Sequence, residues 1–276
     1  MLVKRVVEQA LGEDIGRGDL TTDTIVPAHL RARGKLLAKQ PGRLAGLDVV
    51  RCCFMMLDPH VDIVAHFEDG DDVCAGDEIM RFSGNARALL SAERVALNIL
   101  QRMCGIATAT SQVVERVKEY DTKVIDTRKT VPGLRMLDKY AVRMGGGVNH
   151  RFGLDDGVLI KENHIRVAGG IKAALDRVHA TVGHMVKVEI EVTNLEELEE
   201  ALTCKPDAIM LDNMDLEQMR EAVCITSARC LLEASGNITL DNCVDVARTG
   251  VDLMSMGWLT HSVKALDLSI QLEMAE

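Results

Sequence analysis

The second half of this chain reads as an α/β barrel, and three observations predict it. Short, apolar, β-rich runs recur along it. Helical patterns opened by capping residues lie between them. A charged residue, a small residue or a glycine stands at the carboxyl end of every run. Alternating strand and helix implies βα units joined by right-handed crossovers. In a closed barrel the carboxyl ends of the strands meet on one rim, where active sites are built. An open doubly wound sheet gathers them only near its switch point. The barrel is the better fit, although six clear runs fall short of a complete one.

The runs are K-V-I-D (123–126), G-V-L-I-K (157–161), V-K-V-E-I-E-V (186–192), A-I-M-L-D (208–212), C-L-L-E-A (230–234) and D-L-M-S-M (252–256). Most are continuously apolar, as parallel strands covered on both faces are. Between them, Asn194-x-x-Glu197 opens a helix with Leu195, Leu198 and Leu202 on one face. Asp215-x-x-Gln218 introduces Leu216, Met219 and Val223. Thr239-x-x-Asn242 introduces Leu240, Cys243, Val244 and Ala247, and Gly250 suits the stop.

The first hundred residues read differently. E-D-G-D-D-V-C-A-G-D-E-I (68–79) carries two Gly-Asp pairs at tight turns between short strands. The pattern resembles the half-barrel turns of lipoyl and biotinyl carrier domains. No lysine sits at a hairpin tip, so a structural β-sandwich is the better reading. Ser91 is placed as the cap of a helix running through Val95, Ile99 and Met103, with Arg94 in its first turn. A cation there opposes the helix dipole, which singles Arg94 out for a partner elsewhere. A solvated surface arginine satisfies the same spacing.

Composition narrows the function. The 276 residues are 47% apolar but only 3% aromatic, so aliphatic side chains fill the core. A net charge of −10 argues against a general nucleic-acid binder. No uninterrupted apolar stretch is long enough to span a bilayer, and the first ten residues lack a signal-peptide core. The eight cysteines show no C-x-x-C spacing and include the adjacent pair Cys52-Cys53. They are expected to be reduced, mostly buried thiols of a cytoplasmic protein.

Against this acidic background, residues 128–151 hold six cations (Arg128, Lys129, Arg135, Lys139, Arg143, Arg151) and one acid, Asp138, a formal +5. Pro132-Gly133 and Gly145-Gly146-Gly147 interrupt them. Cations gathered around glycines in an acidic protein point to a small, multiply charged anion. Arg135, Lys139 and Arg143, four apart on a helix expected over 134–144, fit a solvated face instead. The three glycines suit either a helix stop or backbone close to a ligand.

The strand ends add Arg128-Lys129, Lys161, Glu191, Asp212, Ser235-Gly236 and Ser255-Met256-Gly257 to the rim. Glu189 and Glu191 point to the same side of their strand, and periodicity does not choose between them. Asn163 and His164 are candidates for a supporting role behind Lys161. His261 reads as structural.

Ten segments together resemble the quinolinate phosphoribosyltransferase family, also called nicotinate-nucleotide pyrophosphorylase (decarboxylating). They include D-T-R-K-T-V-P-G-L-R (126–135), K-Y-A-V-R-M-G-G-G-V-N-H-R (139–151), L-I-K-E-N-H (159–164), E-D-I-G-R-G-D-L-T-T (13–22) and S-A-E-R-V-A-L-N (91–98). C-G-I-A-T, V-E-I-E-V, M-L-D-N-M, E-A-S-G-N-I and M-G-W-L-T-H-S complete the series across nearly the whole chain. Val131, Cys104 and Met256 are mild departures that alter no charged position.

The resemblance implies an N-terminal α/β sandwich over 1–105 and an incomplete, seven-stranded α/β barrel over 106–276. The last helix is expected to pack back on the first domain. It implies transfer of phosphoribosyl from phosphoribosyl diphosphate to quinolinate with loss of carbon dioxide, in de novo NAD synthesis. It implies Mg²⁺, placed near Glu191 and Asp212, and a homodimer or hexamer in which Arg94 reaches the neighbour's site. Arg94, Arg128, His150, Arg151 and Lys161 would hold the two ring carboxylates, arginine being the bidentate choice. Lys129 would meet the diphosphate, and Thr127 is a further substrate-binding candidate. Ser235-Gly236-Asn237 and Ser255-Met256-Gly257 follow the last two strands, where barrels bind phosphate with backbone N–H groups. Lys129, Glu191 and Asp212 are the catalytic candidates.

Three rivals fit parts of this pattern. A paralogous phosphoribosyl-using or nicotinate-using enzyme would lack the full set of carboxylate ligands. A Schiff-base aldolase would use Lys161 as its nucleophile. A binding module for RNA or a phosphorylated effector would show salt-dependent association and no turnover.

Overall fold

The computed structural model describes residues 2–274. In chain order, the first elements are α1 (Leu2–Ile15), α2 (Leu20–Ile25), β1 (Arg31–Ala38), β2 (Gly42–Arg43), α3 (Leu47–Leu57) and β3 (Asp62–Ala65). Next come β4 (Asp72–Val73), β5 (Glu78–Asn85), α4 (Ala86–Val117), β6 (Lys123–Ile125), α5 (Arg135–Met144), β7 (Val158–Ile160) and α6 (Glu162–Ala168). Then α7 (Ile171–Thr181), β8 (Val188–Val192), α8 (Leu195–Thr203), β9 (Ala208–Asp212) and α9 (Leu216–Thr226) follow. The chain ends with β10 (Leu231–Ser235), α10 (Cys243–Ala247), β11 (Leu253–Ser255), α11 (Trp258–His261) and β12 (Leu268–Met274). Two compact units form: residues 1–111, 130–146 and 261–276, and residues 112–129 with 147–260.

The first unit is built on an antiparallel sheet of order β12-β1-β5-β3, with β2 and β4 forming a separate ribbon. The Gly-Asp turns fall where the sequence places them. Gly70 and Gly76 have φ of 99° and 97°, and the carboxylates of Asp71 and Asp77 accept from the N–H groups of Glu68 and Cys74. Gly34 in β1 lies under the ring of Phe82, which a Cβ would strike at 2.2 Å. Phe82 in turn packs on Phe54 of α3, with ring centroids 4.6 Å apart. Leu36, Ile79, Met80, Leu89, Leu100 and Ile106 complete a dry core around this contact.

Several expectations are corrected in this unit. The helix expected to begin at Ser91 begins at Ala86, capped by Asn85, whose side chain accepts from the N–H of Ala88. Ser91 instead donates to Asp19, and Arg94 lies well inside the helix, so the dipole argument for it falls away. The last element is a strand rather than a helix. Its L-S-I-Q-L-E-M alternation has a period of two, and it pairs antiparallel with β1 from Ala32↔Met274 to Ala38↔Leu268. The cationic face of α5 is not solvated throughout. Lys139 is 3% exposed, and neighbouring Asp138 is fully buried and accepts a two-pronged bond from Arg102 at 2.9 and 2.8 Å. Gly145 is a packing glycine, since a Cβ there would meet the Thr110 side chain and the Ala107 carbonyl at about 2.5 Å. The eight cysteines are unpaired, but only Cys53, Cys104 and Cys243 are buried.

The second unit is a parallel sheet of order β6-β11-β10-β9-β8-β7. It carries the six strands read from the sequence. A seventh is reduced to one parallel bridge, Ile125↔Val148, held by Val148 N–H to Val124 O at 2.9 Å. No ladder joins Val148 to β7 among the described residues, so the barrel is incomplete and open at that seam. Two of the three predicted caps hold; the helix expected to open at Thr239 begins at Cys243 with Asn242 in the cap position, because the Asn242 side chain turns back to accept from the Thr239 N–H and leaves Leu240 outside the helix. Asn194 accepts from Glu197 N–H, and Asp215 and Gln218 form a reciprocal capping box that opens α9. Strand parity decides what faces the barrel axis. Leu159, Glu189, Glu191, Met210, Asp212, Glu233, Ser235 and Ser255 are related by steps of two within each strand, so each set shares one face.

Candidate active site

The inward residues at the carboxyl ends of the strands enclose a cavity of about 320 Å³, wholly within the second unit. Thr127, Arg128, Lys129, His150, Arg151, Lys161, Glu191, Asp212, Ser235 and Ser255 line it. All ten are residues the sequence singled out. Leu159, Met210 and Glu233 line it as well.

Register accounts for the cation nearest the rim. β7 and β8 pair Leu159 with Glu189 and Ile160 with Ile190, so the next step brings Lys161 opposite Glu191. Lys161 Nζ lies 2.7 Å from Glu191 Oε2. Behind it, His164 Nδ1 accepts from the Lys161 N–H at 2.9 Å, so His164 fixes the backbone that carries the lysine.

The loop after Val148 is set by a residue the sequence reading passed over. Asp126, fully buried at the end of β6, accepts from Asn149 Nδ2 at 2.6 Å and from His150 N–H at 2.9 Å. His150 and Arg151 are thereby turned into the cavity. Arg151 Nη1 donates to the Gly157 carbonyl at 2.8 Å, and its buried Nε has no partner. Burial, and repulsion from Arg128, hold the Arg151 guanidinium below its ordinary pKa, opposed by Asp156 and Glu189. A guanidinium keeps its charge through such a shift, and an unmatched donor in a cationic pocket is suited to an incoming anion.

The floor is acidic. Glu189 and Glu191 share a face of β8 but differ in place: Glu191 meets Lys161 on the cavity wall, and Glu189 meets His150 Nε2 at 3.0 Å. Glu233 of β10, 3.6 Å from the same nitrogen, was missed by the sequence reading. The available signal was a lone carboxylate in the middle of an otherwise apolar strand.

The remaining candidates lie elsewhere. Gly236 and Asn237 line an adjoining depression of about 270 Å³ with Asn213 and Asp215. Asn237 Nδ2 donates to Asn213 Oδ1 at 3.1 Å, and Gly236, at φ 99°, leaves room for that amide. Met256 is buried beside the rim, and Gly257 accepts from Thr260. Arg94 is an exposed residue of α4 in the first unit.

An incomplete α/β barrel whose rim converges four cations on one cavity, faced by carboxylates and small polar residues, is the architecture of an enzyme acting on a polyanionic substrate. The comparisons with known proteins give the family. The quinolinate phosphoribosyl transferase N-terminal domain matches residues 19–104 and the C-terminal domain matches 106–271. A Bacillus subtilis protein named probable nicotinate-nucleotide pyrophosphorylase [carboxylating] is 44% identical over 99% of this chain and 94% of its own. A Nicotiana tabacum protein named quinolinate phosphoribosyltransferase [decarboxylating] 2b is 40% identical over 98% of this chain and 82% of its own. The solved nicotinate-nucleotide pyrophosphorylase of Francisella tularensis superposes with a TM-score of 0.95 at 42% identity, covering 99% of this chain and 96% of that one. The chain belongs to the quinolinate phosphoribosyltransferase family.

Proposed function

We propose that this chain transfers a phosphoribosyl group from phosphoribosyl diphosphate to quinolinate with loss of carbon dioxide, giving nicotinate mononucleotide and diphosphate for de novo NAD synthesis. The observation that carries the reading is the convergence of Arg128, Lys129, Arg151 and Lys161 on one cavity, with Asp212, Ser235 and Ser255 on the same wall system. Two adjacent carboxylates on a small ring need several donors on one side, and the phosphorylated ribose needs small residues and carboxylates on the other.

In this reading Arg151, Arg128 and Lys161 grip the dicarboxylate, His150 stands beneath them against Glu189, and Lys129 meets the leaving diphosphate. The ring nitrogen attacks the anomeric carbon as diphosphate departs, and that carbon becomes cation-like. Asp212 and Glu191, both on the cavity wall, offset this charge and hold ribose hydroxyls in this reading. The nitrogen becomes quaternary and stabilises the electron pair left on the neighbouring carbon when carbon dioxide leaves. Protein side chains supply position and electrostatics, and no nucleophile is needed.

Mg²⁺ suits the donor chemistry of this wall. The ion takes hard oxygen ligands, commonly one or two carboxylates completed by substrate phosphates. Asp212 is held by Asn213 Nδ2 at 2.9 Å, and Glu191 is already matched by Lys161, so Asp212 is the residue that would hold it. The ion would offset charge on the diphosphate. Arg94, exposed on α4, is assigned across a subunit interface of a homodimer or hexamer. Partial recovery of activity on mixing Arg94→Ala with a second inactive variant tests this, and no recovery refutes it. A cytoplasmic location accords with eight cysteines that form no disulfide.

The pairing of Lys161 with Glu191 disfavours a Schiff-base enzyme, whose lysine needs an apolar or cationic surround. Turnover of quinolinate against nicotinate, each with phosphoribosyl diphosphate and Mg²⁺, tests the reading. Product from quinolinate alone is expected, and equal or exclusive use of nicotinate refutes it.

A further inference from the structure

The floor of the cavity holds a group that the phosphoribosyl step does not use. Glu233 is 1% exposed, yet it lines the cavity. Its Oε1 makes no hydrogen bond, and neither does Oε1 of Glu189. His150 Nε2 stands between them, 3.0 Å from Glu189 and 3.6 Å from Glu233.

The proton inventory of this cluster follows from its geometry. His150 Nδ1 accepts from the Arg151 N–H at 2.6 Å, so the ring proton sits on Nε2 and is directed at Glu189. That nitrogen has no lone pair left for a metal ion. Glu189 is thereby matched, and Glu233 is left as a buried carboxyl beside a second one. The groups facing Glu233 are Glu189 of β8, Ser255 of β11, His150 of the loop after Val148, and Lys161 after β7. Burial, reinforced by Glu189, raises the Glu233 carboxyl well above the ordinary range, and Ser255 and Lys161 do not offset this. Two ionised carboxylates beneath a pocket for a dicarboxylate would also repel it.

We propose that Glu233, seated under the cavity against Glu189 and His150, delivers the proton that replaces the carboxylate lost from the pyridine ring. This rests on the quinolinate reading given above. The bond between ring carbon and carboxylate breaks, its electron pair stays on the carbon, and neutral carbon dioxide departs. The Glu233 O–H then breaks, a C–H bond forms, and Glu233 is left as a carboxylate. The substrate gives up one negative charge as Glu233 acquires one, so the net charge of the pocket does not change. Water returns the proton once product leaves.

The test is Glu233→Gln, a neutral isostere that cannot give up a proton. With quinolinate as the varied substrate, kcat should fall about 10²- to 10⁴-fold, the range for a positioned general acid, with KM changed less than about threefold. The alkaline fall of kcat in the wild type should be missing from the residual activity. Glu233→Asp, which keeps the proton but moves it, should recover at least about tenfold over Gln. Near wild-type kcat in Glu233→Gln overturns the proposal. So does a loss that leaves the alkaline fall in place or that Asp does not recover, since that marks a structural role. Infrared spectroscopy of the wild-type protein gives a reading that needs no variant. A protonated carboxyl C=O band at neutral pH is expected, and its absence overturns the proposal. A wild-type enzyme that shows this band but does not turn over quinolinate refutes the functional reading instead.

Discussion

Replacing Lys161 with Met should uncouple activity from stability, and the structure sets the size of both effects. Lys161 is half exposed, with a side-chain exposure of 49%, while its partner Glu191 is at 12%. An ion pair this open contributes about 0–1 kcal/mol to folding, so the melting temperature should move by no more than about 4 °C. Substrate binding is another matter. Loss of a hydrogen bond to a charged group costs about 1.5–3 kcal/mol. The variant also frees the Glu191 carboxylate to face the incoming dicarboxylate. Two like charges about 4 Å apart near a protein surface repel by about 4 kcal/mol, and the open wall reduces this to about 2 kcal/mol. Together these terms, about 3.5–5 kcal/mol, predict a fall in kcat/KM for quinolinate of about 400- to 5,000-fold at 1.36 kcal/mol per decade. The assay is initial-rate formation of nicotinate mononucleotide beside a calorimetric melt. A cycle with Glu191→Gln isolates the repulsion: the two losses should be less than additive by about 2 kcal/mol. Additive losses would refute the freed-carboxylate argument. Retained activity, or a melting temperature that falls with it, would refute the placement of Lys161 in the site.

Four further outcomes are expected. Arg102→Met strands the buried Asp138 carboxylate, which keeps the Val131 N–H at 3.2 Å, and should cost about 3–5 kcal/mol in denaturant unfolding; a change under 1 kcal/mol would contradict this. Gly236→Ala puts a Cβ 2.2 Å from Asn213 Oδ1 at a positive φ, and should raise KM for phosphoribosyl diphosphate about tenfold while leaving that for quinolinate unchanged; equal shifts in both would argue against it. For Asp58, burial raises the carboxyl, but the Asn85 and His60 N–H groups outweigh it and the net shift is downward. A depressed folded-state value stabilises above the unfolded pKa of about 3.9 and is lost as pH falls through the folded one. Asp58→Asn should therefore flatten the acid limb of the stability profile, and an unchanged limb would refute the assignment. Burial pushes the Cys53 and Cys104 thiols up to about 12, whereas Cys74 and Cys224 are exposed. A disulfide reagent at pH 8 should label Cys74 and Cys224 at once and Cys53 and Cys104 only on unfolding; early labelling of Cys104 would contradict its burial.

Much of the barrel was legible in the residues themselves, because its signals are local. An apolar run, a cap such as Asp215-x-x-Gln218 and a charged residue at a strand end each lie within one βα unit. The fold then brings the strand ends together whatever lies between, which is why Arg128, Arg151, Lys161, Glu191 and Asp212 could be named before their convergence was seen. Family resemblance contributed the substrate and the reaction, which no spacing carries. What needed the tertiary structure was burial and pairing across distant segments. Lys139 reads as a solvated helix residue and is buried, and Asp138 is held by a residue 36 positions away. The final L-S-I-Q-L-E-M run becomes a strand because β1 offers it an open edge. Glu233 has no local mark beyond a charge in an apolar strand. Only the register of β8, β9 and β10, and the loop that Asp126 pins, set it against Glu189 and His150. Secondary structure is written at short range, whereas the charge state of a carboxyl depends on what the whole chain folds around it.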